Sequence, residues 1–411
     1  MGEGVGLMVK ETADALFPTY ARFPITLVKG KGSRVWDDQG KEYVDFMCGL
    51  AVTNLGHAPE RVKEQLEHQL DELWHVSNLF HIPGQERLAD KLCSISGLDR
   101  VFFCSTGAEA NEAAIKLARR YSRVVKGTDR YEIITFKHSF HGRTMITLTA
   151  TGQEKVQTGF DPLPPGFVYA DYNDMDSVRS LIGNQTCAVM LEMVQGEGGV
   201  LPAEASFVRE LAGLCKERDL LLIVDEIQTG MGRTGSWFAF QHYGIKPDII
   251  TLAKGLGSGF PIGAMLGKEK LAEGFTAGSH GSTFGGTPIA MAAGAATVDV
   301  LEKEKLPERA AQLGGAILEK LNEELGCLPF IKDIRGKGLL IGIECAEPVA
   351  DILQNIHEQG VLVVSAGPNV IRLVPSLNIP EEDVIQALSI ICKAIQRKPQ
   401  YTADWYKRKG G

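Results

Sequence analysis

From Pro247 to Gly257 the chain reads PDIITLAKGLG. The apolar run has no helical period, which is typical of a buried strand, and it ends at Lys254 just before a glycine-rich turn. An amine at the end of a buried strand is partly desolvated, and desolvation lowers its pKa. The neutral amine is the form that condenses with an aldehyde to give a Schiff base. For this segment taken alone, an ordinary surface lysine at a strand end remains the alternative.

A second apolar run, Leu220–Val224, is followed directly by Asp225. If the two runs are neighbouring parallel strands, Asp225 and Lys254 lie at the same carboxyl edge of the sheet, where open α/β sheets bind their ligands. A buried carboxylate that faces a pyridine nitrogen keeps the nitrogen protonated, so that the ring acts as an electron sink. A reactive lysine and such a carboxylate are what pyridoxal 5'-phosphate (PLP) requires of a protein, so the pair indicates a PLP site.

The composition excludes several classes of protein. Of the 411 residues, 44% are hydrophobic and 23% are charged, which is ordinary for a globular chain long enough for at least two domains. The net charge of -8 argues against a nucleic-acid or anionic-membrane partner. No run approaches the roughly 20 apolar residues of a membrane span, and the N-terminus has no apolar signal-peptide region. None of the eight cysteines forms a C-x-x-C pair, so we expect reduced cysteines and a cytoplasmic protein.

From about residue 98 to residue 266, short apolar runs alternate with amphipathic helical segments, which predicts an α/β fold with a mostly parallel sheet covered on both faces. After about residue 300 the pattern is that of an α+β module. We expect a large PLP-binding domain over 56–300, a small domain built from 1–55 and 301–397, and a polar tail over 398–411. A lead-in helix is predicted within 1–19. Seven strands are predicted for the large domain: Val101–Cys104, Glu132–Phe136, Phe167–Ala170, Ala188–Glu192, Leu220–Val224, Asp248–Leu252 and Gly263–Leu266.

The segment Val101–Glu112 predicts a strand, a tight turn and the start of a helix. The free amides and the positive dipole end of a helix N-terminus bind anions, so a phosphate fits here. Gly107 would let the backbone approach the phosphate closely, and Ser105 or Thr106 would add a hydroxyl. Simple capping of the helix by one of those hydroxyls is the alternative for this segment taken alone.

Other loops that follow predicted strands carry side chains suited to a cofactor and a substrate. Phe140 would stack on an aromatic ring, and Arg143 would bind a substrate carboxylate with two hydrogen bonds. Glu197 stands in a glycine-rich loop where it would pair with an arginine, and the loop 279–286 supplies hydroxyls. The alternatives are a core aromatic for Phe140, a surface ion pair for Arg143, a solvated loop acid for Glu197 and a flexible connection for the loop 279–286.

No metal centre and no dinucleotide site is expected. His138 and His141 are three residues apart, but no carboxylate or cysteine stands at ligand spacing and the sequence has no H-E-x-x-H motif. The glycine-rich segment 257–263 resembles a dinucleotide-binding loop only loosely, because Pro261 and Ile262 follow it instead of a helix.

The order of these segments resembles that of the class III (ω-amino) aminotransferases of PLP fold type I, from about Pro18 to Arg397. The most specific windows are Asp225–Gly235 and Thr251–Gly263, and Phe140–Thr144 and Gln195–Val200 also match the pattern of the family. The resemblance implies that PLP is the cofactor, that Lys254 carries it and then moves a proton, and that Asp225 pairs with the ring nitrogen. It further implies cofactor contacts from Ser105, Thr106, Gly107, Ala108, Phe140, Glu226, Ile227, Gln228 and Thr283.

The resemblance also implies a homodimer with shared active sites, because Thr283 would reach the phosphate from the partner subunit. Arg372 matches the position that binds the α-carboxylate of glutamate, and Glu197 matches the acid that masks this arginine while the ω-amino substrate is bound. The remaining substrate-binding positions that it implies are Tyr20, Leu50, Arg143 and Ser282.

The expected reaction is transfer of the δ-amino group of N2-acetyl-L-ornithine to 2-oxoglutarate. Ornithine, succinylornithine, 4-aminobutyrate and other ω-amino acids remain as alternative donors, and a glutamate-1-semialdehyde aminomutase or a non-catalytic binder of the same fold are more distant alternatives. Leu50 favours the acetylated donor: relatives that prefer ornithine carry a tyrosine there, and burying an ammonium group against leucine is costly.

Overall fold

A computed structural model of the chain describes residues 15–397. The strands are β1 (Leu27–Lys31), β2 (Arg34–Asp37), β3 (Glu42–Asp45), β4 (Arg100–Cys104), β5 (Glu132–Phe136), β6 (Phe167–Ala170), β7 (Thr186–Glu192), β8 (Val194–Gln195), β9 (Leu201–Pro202), β10 (Leu221–Asp225), β11 (Ile249–Leu252), β12 (Gly263–Gly267), β13 (Ile331–Lys337), β14 (Leu340–Cys345), β15 (Val361–Leu362), β16 (Val364–Ser365) and β17 (Val370–Leu373).

The helices are α1 (Cys48–Ala51), α2 (Glu60–Leu70), α3 (Pro83–Ser96), α4 (Gly107–Arg120), α5 (Met145–Ala150), α6 (Glu154–Gln157), α7 (Met175–Leu181), α8 (Ala205–Glu217), α9 (Pro288–Lys303), α10 (Leu306–Leu325), α11 (Ala350–Glu358) and α12 (Glu381–Gln396). The predicted tail over 398–411 and residues 1–14 of the predicted lead-in helix lie outside the described residues. Residues 15–19 form a turn followed by an irregular segment, so the predicted lead-in helix is not formed by them. Pro18 accounts for this difference, because the residue before a proline is disfavoured in the helical region.

The centre of the large domain is a seven-stranded sheet in the order β4-β12-β11-β10-β7-β5-β6. Only β12 runs antiparallel to its neighbours, so the predicted mostly parallel α/β sheet is confirmed, and each of the seven predicted strands is found within a residue or two of its predicted bounds. The strands β7, β10, β11 and β12 are buried along their whole length. Burial on both faces explains why their sequences are continuous apolar runs.

Helices cover both faces of this sheet, and β10 shows how its side chains divide between them. Leu222 and Val224 pack into one hydrophobic core, and Leu221 and Ile223 pack into the other, as the two-residue period of a strand requires. The helix α8 packs against the first core and α4 against the second.

All eight cysteines are free, and only Cys327 is exposed. Within residues 15–397, no helix is long and apolar enough to cross a membrane.

The small sheets join the two ends of the chain. In the sheet β1-β2-β3-β15, the N-terminal strand β3 pairs in parallel with the C-terminal strand β15, with Val44 opposite Val361. The second small sheet is β13-β14-β17-β16. The fully buried Arg233 connects the large domain to this region, because its Nη1 donates to the carbonyl of Leu339 at 3.1 Å and its Nη2 to Asn54 Oδ1 at 2.7 Å. On these contacts we propose the predicted division into a large domain over 56–300 and a small domain from 1–55 and 301–397.

Candidate active site

A cavity of about 470 Å³ lies at the carboxyl edge of the large sheet. Its volume is within the usual range for a small-molecule site. Loops that follow the strands β4, β5, β7, β10 and β11 form its wall, which is where parallel strands of an open α/β sheet direct their ligands. Eleven of the predicted site residues line it: Ser105, Thr106, Gly107, Ala108, Phe140, Arg143, Glu197, Asp225, Ile227, Gln228 and Lys254.

Lys254 lies two residues after the end of β11, at a left-handed φ of 41° in a short 3-10 turn. Burial lowers the pKa of this amine, and the Arg372 guanidinium lowers it further, while the carboxylates of Glu197, Asp225 and Glu192 act in the opposite direction. Among residues 15–397 no carboxylate lies within ion-pair distance of Lys254 Nζ. The site therefore favours the neutral amine, as the position at a buried strand end predicted, and Lys254 is not an ordinary surface lysine.

Asp225 ends the strand next to β11, so the predicted neighbourhood of Asp225 and Lys254 is formed. Its carboxylate is buried and receives three hydrogen bonds. Asn111 Nδ2 and His141 Nδ1 each donate to Oδ2 at 2.8 Å, and the backbone amide of Ile227 donates to Oδ1 at 3.0 Å. Because His141 Nδ1 is the donor, this ring carries its proton on Nδ1, and its buried Nε2 has no hydrogen-bond partner among the described residues. The three donors fix the orientation of the carboxylate.

The turn before α4 combines capping with a site for an anion. Thr106 Oγ1 accepts from the amide of Glu109 at 3.2 Å, and the Glu109 carboxylate accepts from the amide of Ser105 at 2.8 Å. The capping alternative therefore holds for Thr106. The amides of Gly107 and Ala108 form no hydrogen bond with another described residue, and both residues border the cavity. A β-carbon at Gly107 would lie 2.9 Å from Ile227 Cδ1, so glycine allows the turn to approach that side chain.

Glu197 and Arg372 form an ion pair at the edge of the cavity, with Arg372 Nη1 donating to Glu197 Oε1 at 2.5 Å. Gln228 bridges the two groups, because its Nε2 donates to Glu197 at 3.2 Å and its Oε1 accepts from Arg372 at 3.2 Å. Burial alone would raise the pKa of Glu197, but the charge and hydrogen bond of Arg372 hold it below its usual value. Gly196 permits this arrangement, since a β-carbon there would overlap Gln228.

Phe140 and Arg143 lie on a loop that follows β5. The guanidinium carbon of Arg143 lies 5.8 Å from the centre of the Phe140 ring, a cation–π contact. Arg143 is exposed and forms no ion pair with another described residue, so the surface ion pair that was its alternative is not formed. Both side chains are placed where an aromatic ring and a carboxylate would meet them.

Six predicted site residues are outside the cavity wall. Arg372 is buried behind it and contacts Glu197, while Glu226 points away: its carboxyl accepts from Thr229 Oγ1 at 2.5 Å and from the amide of Phe240 at 2.8 Å. Tyr20 is 75% exposed and Leu50 is 37% exposed. Ser282 and Thr283 lie in a loop where the Ser282 hydroxyl accepts from the amide of Gly285. The Glu226 side chain therefore forms its hydrogen bonds away from the cavity, and its expected cofactor contact stays a prediction.

The structure also brings three residues to the site that the sequence did not single out for it. Asn111 and His141 bind Asp225, and Glu192 lines the cavity beside it. The signal for Glu192 was present, since it ends a buried strand just as Asp225 does. His141 had been considered only as a metal ligand, and no cluster suited to a metal ion is found within 15–397.

The residues present fit PLP. The cavity brings together the amine of Lys254, the carboxylate of Asp225, the unpaired amides at the start of α4 and the face of Phe140. The amine suits an aldehyde and the carboxylate suits a pyridine nitrogen. The amides suit a phosphate, and the face of Phe140 suits an aromatic ring. The fold and the site define a PLP-dependent enzyme of fold type I.

The chain belongs to the class-III aminotransferases, since the model of the family Aminotransferase class-III matches residues 17–395. It is therefore a PLP-dependent transaminase, which acts on a small-molecule amino donor and an oxo-acid acceptor. The expected family, fold, cofactor and enzyme class are confirmed.

Curated relatives are similar to the chain over nearly its whole length. The acetylornithine aminotransferase of Bacillus subtilis (strain 168) is 52% identical over 383 residues, covering 93% of this chain and 97% of the relative. The acetylornithine aminotransferase of Oceanobacillus iheyensis is 50% identical over 381 residues, covering 92% and 96%.

Solved structures agree on the fold. The ornithine aminotransferase of Toxoplasma gondii ME49 superimposes with a TM-score of 0.90 at 35% identity, covering 93% of this chain and 92% of that one. The N-acetylornithine aminotransferase of Stenotrophomonas maltophilia K279a gives a TM-score of 0.79 at 38% identity, covering 92% and 96%. Fold similarity therefore does not distinguish the ornithine aminotransferase from the N-acetylornithine aminotransferase. The sequence identities to the two acetylornithine aminotransferases of Bacillus subtilis and Oceanobacillus iheyensis are higher than those to either solved structure.

Proposed function

We propose that this enzyme transfers the δ-amino group of N2-acetyl-L-ornithine to 2-oxoglutarate, giving N-acetyl-L-glutamate 5-semialdehyde and L-glutamate, a step of arginine biosynthesis. The observation that carries the proposal is the Glu197–Arg372 ion pair at the cavity. One site must accept a chain-terminal amine and then a second substrate with an α-carboxylate, and an arginine that is masked in one half-reaction and free in the other serves both. The names of the relatives at about 50% identity support the acetylated donor.

The residues of the chain have distinct tasks in this reaction. Bound PLP supplies the electron sink that stabilises negative charge on the carbon next to the transferred nitrogen. Lys254, whose pKa is lowered, removes the proton from that carbon and then delivers it to a different atom. Asp225 would keep a proton on the ring nitrogen of the cofactor, and Asn111 and His141 hold its carboxylate in place. Arg143 and the unmasked Arg372 bind substrate carboxylates.

A panel of half-reactions tests the proposal. The holoenzyme is mixed with one amine at a time, namely acetylornithine, succinylornithine, ornithine, 4-aminobutyrate and glutamate, and conversion of PLP to the pyridoxamine form is followed by absorbance. Acetylornithine and glutamate are expected to react most efficiently. Faster reaction with ornithine or 4-aminobutyrate would replace the proposed donor, and no reaction with any amine would support the non-catalytic alternative.

Removing the masking acid should change which substrate is favoured. With Glu197→Ala, Arg372 is left unpaired, so the glutamate half-reaction should speed up by about tenfold relative to that of acetylornithine, which corresponds to about 1.4 kcal/mol. Stopped-flow rates of the two half-reactions measure the ratio. Glu197→Gln is the matched variant, because it removes the charge and keeps the shape, and it should behave like alanine. An unchanged ratio in both variants would reject the masking role.

Leu50 is proposed to favour the acetylated donor. Wild-type enzyme should prefer acetylornithine to ornithine by at least about tenfold in kcat/KM, and Leu50→Tyr should narrow that gap by offering a hydroxyl to the α-ammonium group. Leu50 has a left-handed φ of 68° and lies two residues before Val52 in the cavity wall. Tyrosine adds no new backbone strain there, because leucine already carries a β-carbon. Leu50→Phe, which lacks the hydroxyl, should leave the preference for acetylornithine over ornithine unchanged. If the wild type and both variants showed the same preference, Leu50 would be only a packing residue.

We also propose a homodimer in which Thr283 serves the site of the partner. The loop around Thr283 is exposed and contacts the segment 74–80 through Asn78, whose amide donates to the carbonyl of Ser282 at 3.1 Å. Large apolar side chains are exposed on both segments: Trp74 (60%), Leu79 (89%), Phe80 (66%) and Phe284 (65%). Large exposed apolar side chains on two segments that contact each other are typical of a protein interface.

Mixing two inactive variants tests this arrangement. A heterodimer of Lys254→Ala and Thr283→Ala contains one intact site if Thr283 acts across the interface. Equal amounts mixed after mild dissociation re-form half of the dimers as heterodimers, so activity should rise toward about a quarter of that of the wild type. If Thr283 acts within its own subunit, both sites stay defective and no activity returns. Sedimentation of the wild type checks that a dimer is present.

A further inference from the structure

Glu192 and Asp225 form a pair of carboxyl groups at the bottom of the cavity. Glu192 ends β7 and is the register partner of Asp225, which ends the adjacent parallel strand β10. Adjacent strands lie about 4.8 Å apart, so the two groups are close neighbours. Both residues are buried, with 7% and 4% of their surfaces exposed. Two carboxylates that share a buried site do not both ionise readily, which favours a proton on one member of the pair.

The hydrogen bonds decide which member holds it. Asp225 receives three, from Asn111, His141 and the amide of Ile227. Within 15–397 the Glu192 carboxyl receives a single hydrogen bond, from the amide of Phe140 to Oε2 at 3.1 Å. Donors stabilise the ionised form of a carboxyl group, so Glu192, with a single donor, is the member of the pair whose ionised form is less stabilised.

The other charged groups around Glu192 agree with this assignment. Burial is the largest cause that raises the pKa of Glu192 well above its usual value, and Asp225 and then Glu197 raise it further. The Phe140 amide and Lys254 act in the opposite direction. The hydroxyl of Tyr172 does not stabilise a Glu192 carboxylate by hydrogen bonding, because it donates to the backbone carbonyl of Glu192 at 2.7 Å.

We propose that Glu192 is a positioning residue that works as a neutral carboxylic acid: it anchors the Phe140 loop through the backbone amide and leaves Asp225 with the single negative charge of the pair. A protonated carboxyl keeps an acceptor oxygen, so it can receive the Phe140 bond without adding a second charge. An ionised Glu192 would place a second negative charge beside Asp225. The two carboxylates would then compete for one proton and for the positively charged groups of the site. The neutral state of Glu192 is a property of the protein and does not depend on which amine is the donor.

Infrared difference spectroscopy on the apoenzyme and the holoenzyme tests the protonation directly. The spectrum of wild type minus Glu192→Gln at pH 7.5 should show the C=O band of a protonated carboxyl group and no carboxylate bands. Carboxylate bands instead would overturn the proposal. Glu226→Gln is the matched control, because burial raises the pKa of Glu226 to about 7 and this acid bonds to other groups. The protonated band of Glu226 should disappear as the pH rises through about 7, whereas that of Glu192 should persist.

The pH dependence of stability gives a second readout in the apoenzyme. A carboxyl group whose folded-state pKa is raised stabilises the fold fully below its unfolded pKa of about 4.3, and this contribution is lost as the pH rises toward the folded pKa. Glu192→Gln does not titrate, so its melting temperature relative to wild type should increase with pH above about 4.3. A difference that is constant or falls with pH would contradict a neutral Glu192.

The positioning role predicts a contrast between two variants. Glu192→Gln keeps an acceptor for the Phe140 amide and mimics the neutral acid, so its affinity for PLP should stay within about threefold of wild type. Glu192→Leu removes the acceptor, so it should weaken PLP binding, measured by equilibrium titration of the apoenzyme, by about tenfold. Loss of PLP affinity in Glu192→Gln as large as in Glu192→Leu would show that the charge is needed and would reject the proposal.

Discussion

Lys254→Ala is expected to abolish transamination, with a fall in kcat of at least about 10⁴-fold, while the fold remains intact. The variant loses both the covalent attachment of PLP and the base that moves the proton, and a positioned base alone contributes up to about 10⁴-fold. The low pKa of this amine and its place beside the strand that ends in Asp225 motivate the assignment. Borohydride treatment followed by mass spectrometry should fix PLP to the wild type and not to the variant.

The chain offers a closely matched control in Lys137. This lysine also follows a parallel strand, β5, at the same edge of the sheet, but it is exposed and pairs with Asp171 at 2.7 Å. Lys137→Ala should therefore keep activity within about twofold, because an exposed ion pair contributes little. A borohydride-fixed adduct that remains in Lys254→Ala and disappears in Lys137→Ala would move the assignment to Lys137.

The stability of the apoenzyme gives a check that does not depend on activity. At a pH below the lowered pKa of Lys254, the folded protein bears the full cost of burying the ammonium group. Between that pKa and about 10.4 the unfolded state binds more protons, so stability rises with pH. Lys254→Ala removes the buried charge. Its apo form should therefore melt no lower than the wild type at pH 7, and the difference should shrink as the pH approaches about 10.4.

Asp225→Asn is expected to retain PLP and lose about 10³-fold in kcat/KM, which corresponds to about 4 kcal/mol. A neutral amide does not hold a proton on the ring nitrogen, so negative charge on the reacting carbon loses its sink. The substitution also disturbs the local bonds. If the amide oxygen accepts from Asn111 and His141, the amide nitrogen faces the Ile227 N–H, and two donors meet.

Absorbance of bound cofactor and steady-state rates measure the two effects of Asp225→Asn separately. Asp248→Asn is the control, because this acid lies near the opposite end of the same sheet, where it pairs with Lys268 and Lys270. It should lower stability and leave kcat unchanged. An Asp225→Asn enzyme with wild-type kcat would reject the electron-sink role, and one that binds no PLP would make Asp225 chiefly an anchor for the cofactor.

Much of the large domain could be predicted from local patterns. The strands β7, β10 and β11 were predicted because a strand buried on both faces must be apolar along its length. Asp225 and Lys254 were predicted because a carboxylate and an amine at the carboxyl ends of neighbouring buried strands are the two groups that PLP requires of a protein. The pairing of Glu197 with Arg372, which are 175 positions apart, came from the resemblance to a family and not from any spacing.

The sequence by itself therefore determined the α/β class, the order of the strands along the chain and the reactive residues at their ends, because hydrophobic period and strand-end chemistry are local properties. Only the tertiary structure decided which groups surround those residues. It turned Glu226 away toward Phe240, brought Asn111 and His141 to Asp225, and set Glu192 beside it. The physical reason is that these contacts depend on which strands are neighbours in the sheet, and that order is fixed by packing among residues far apart in the chain.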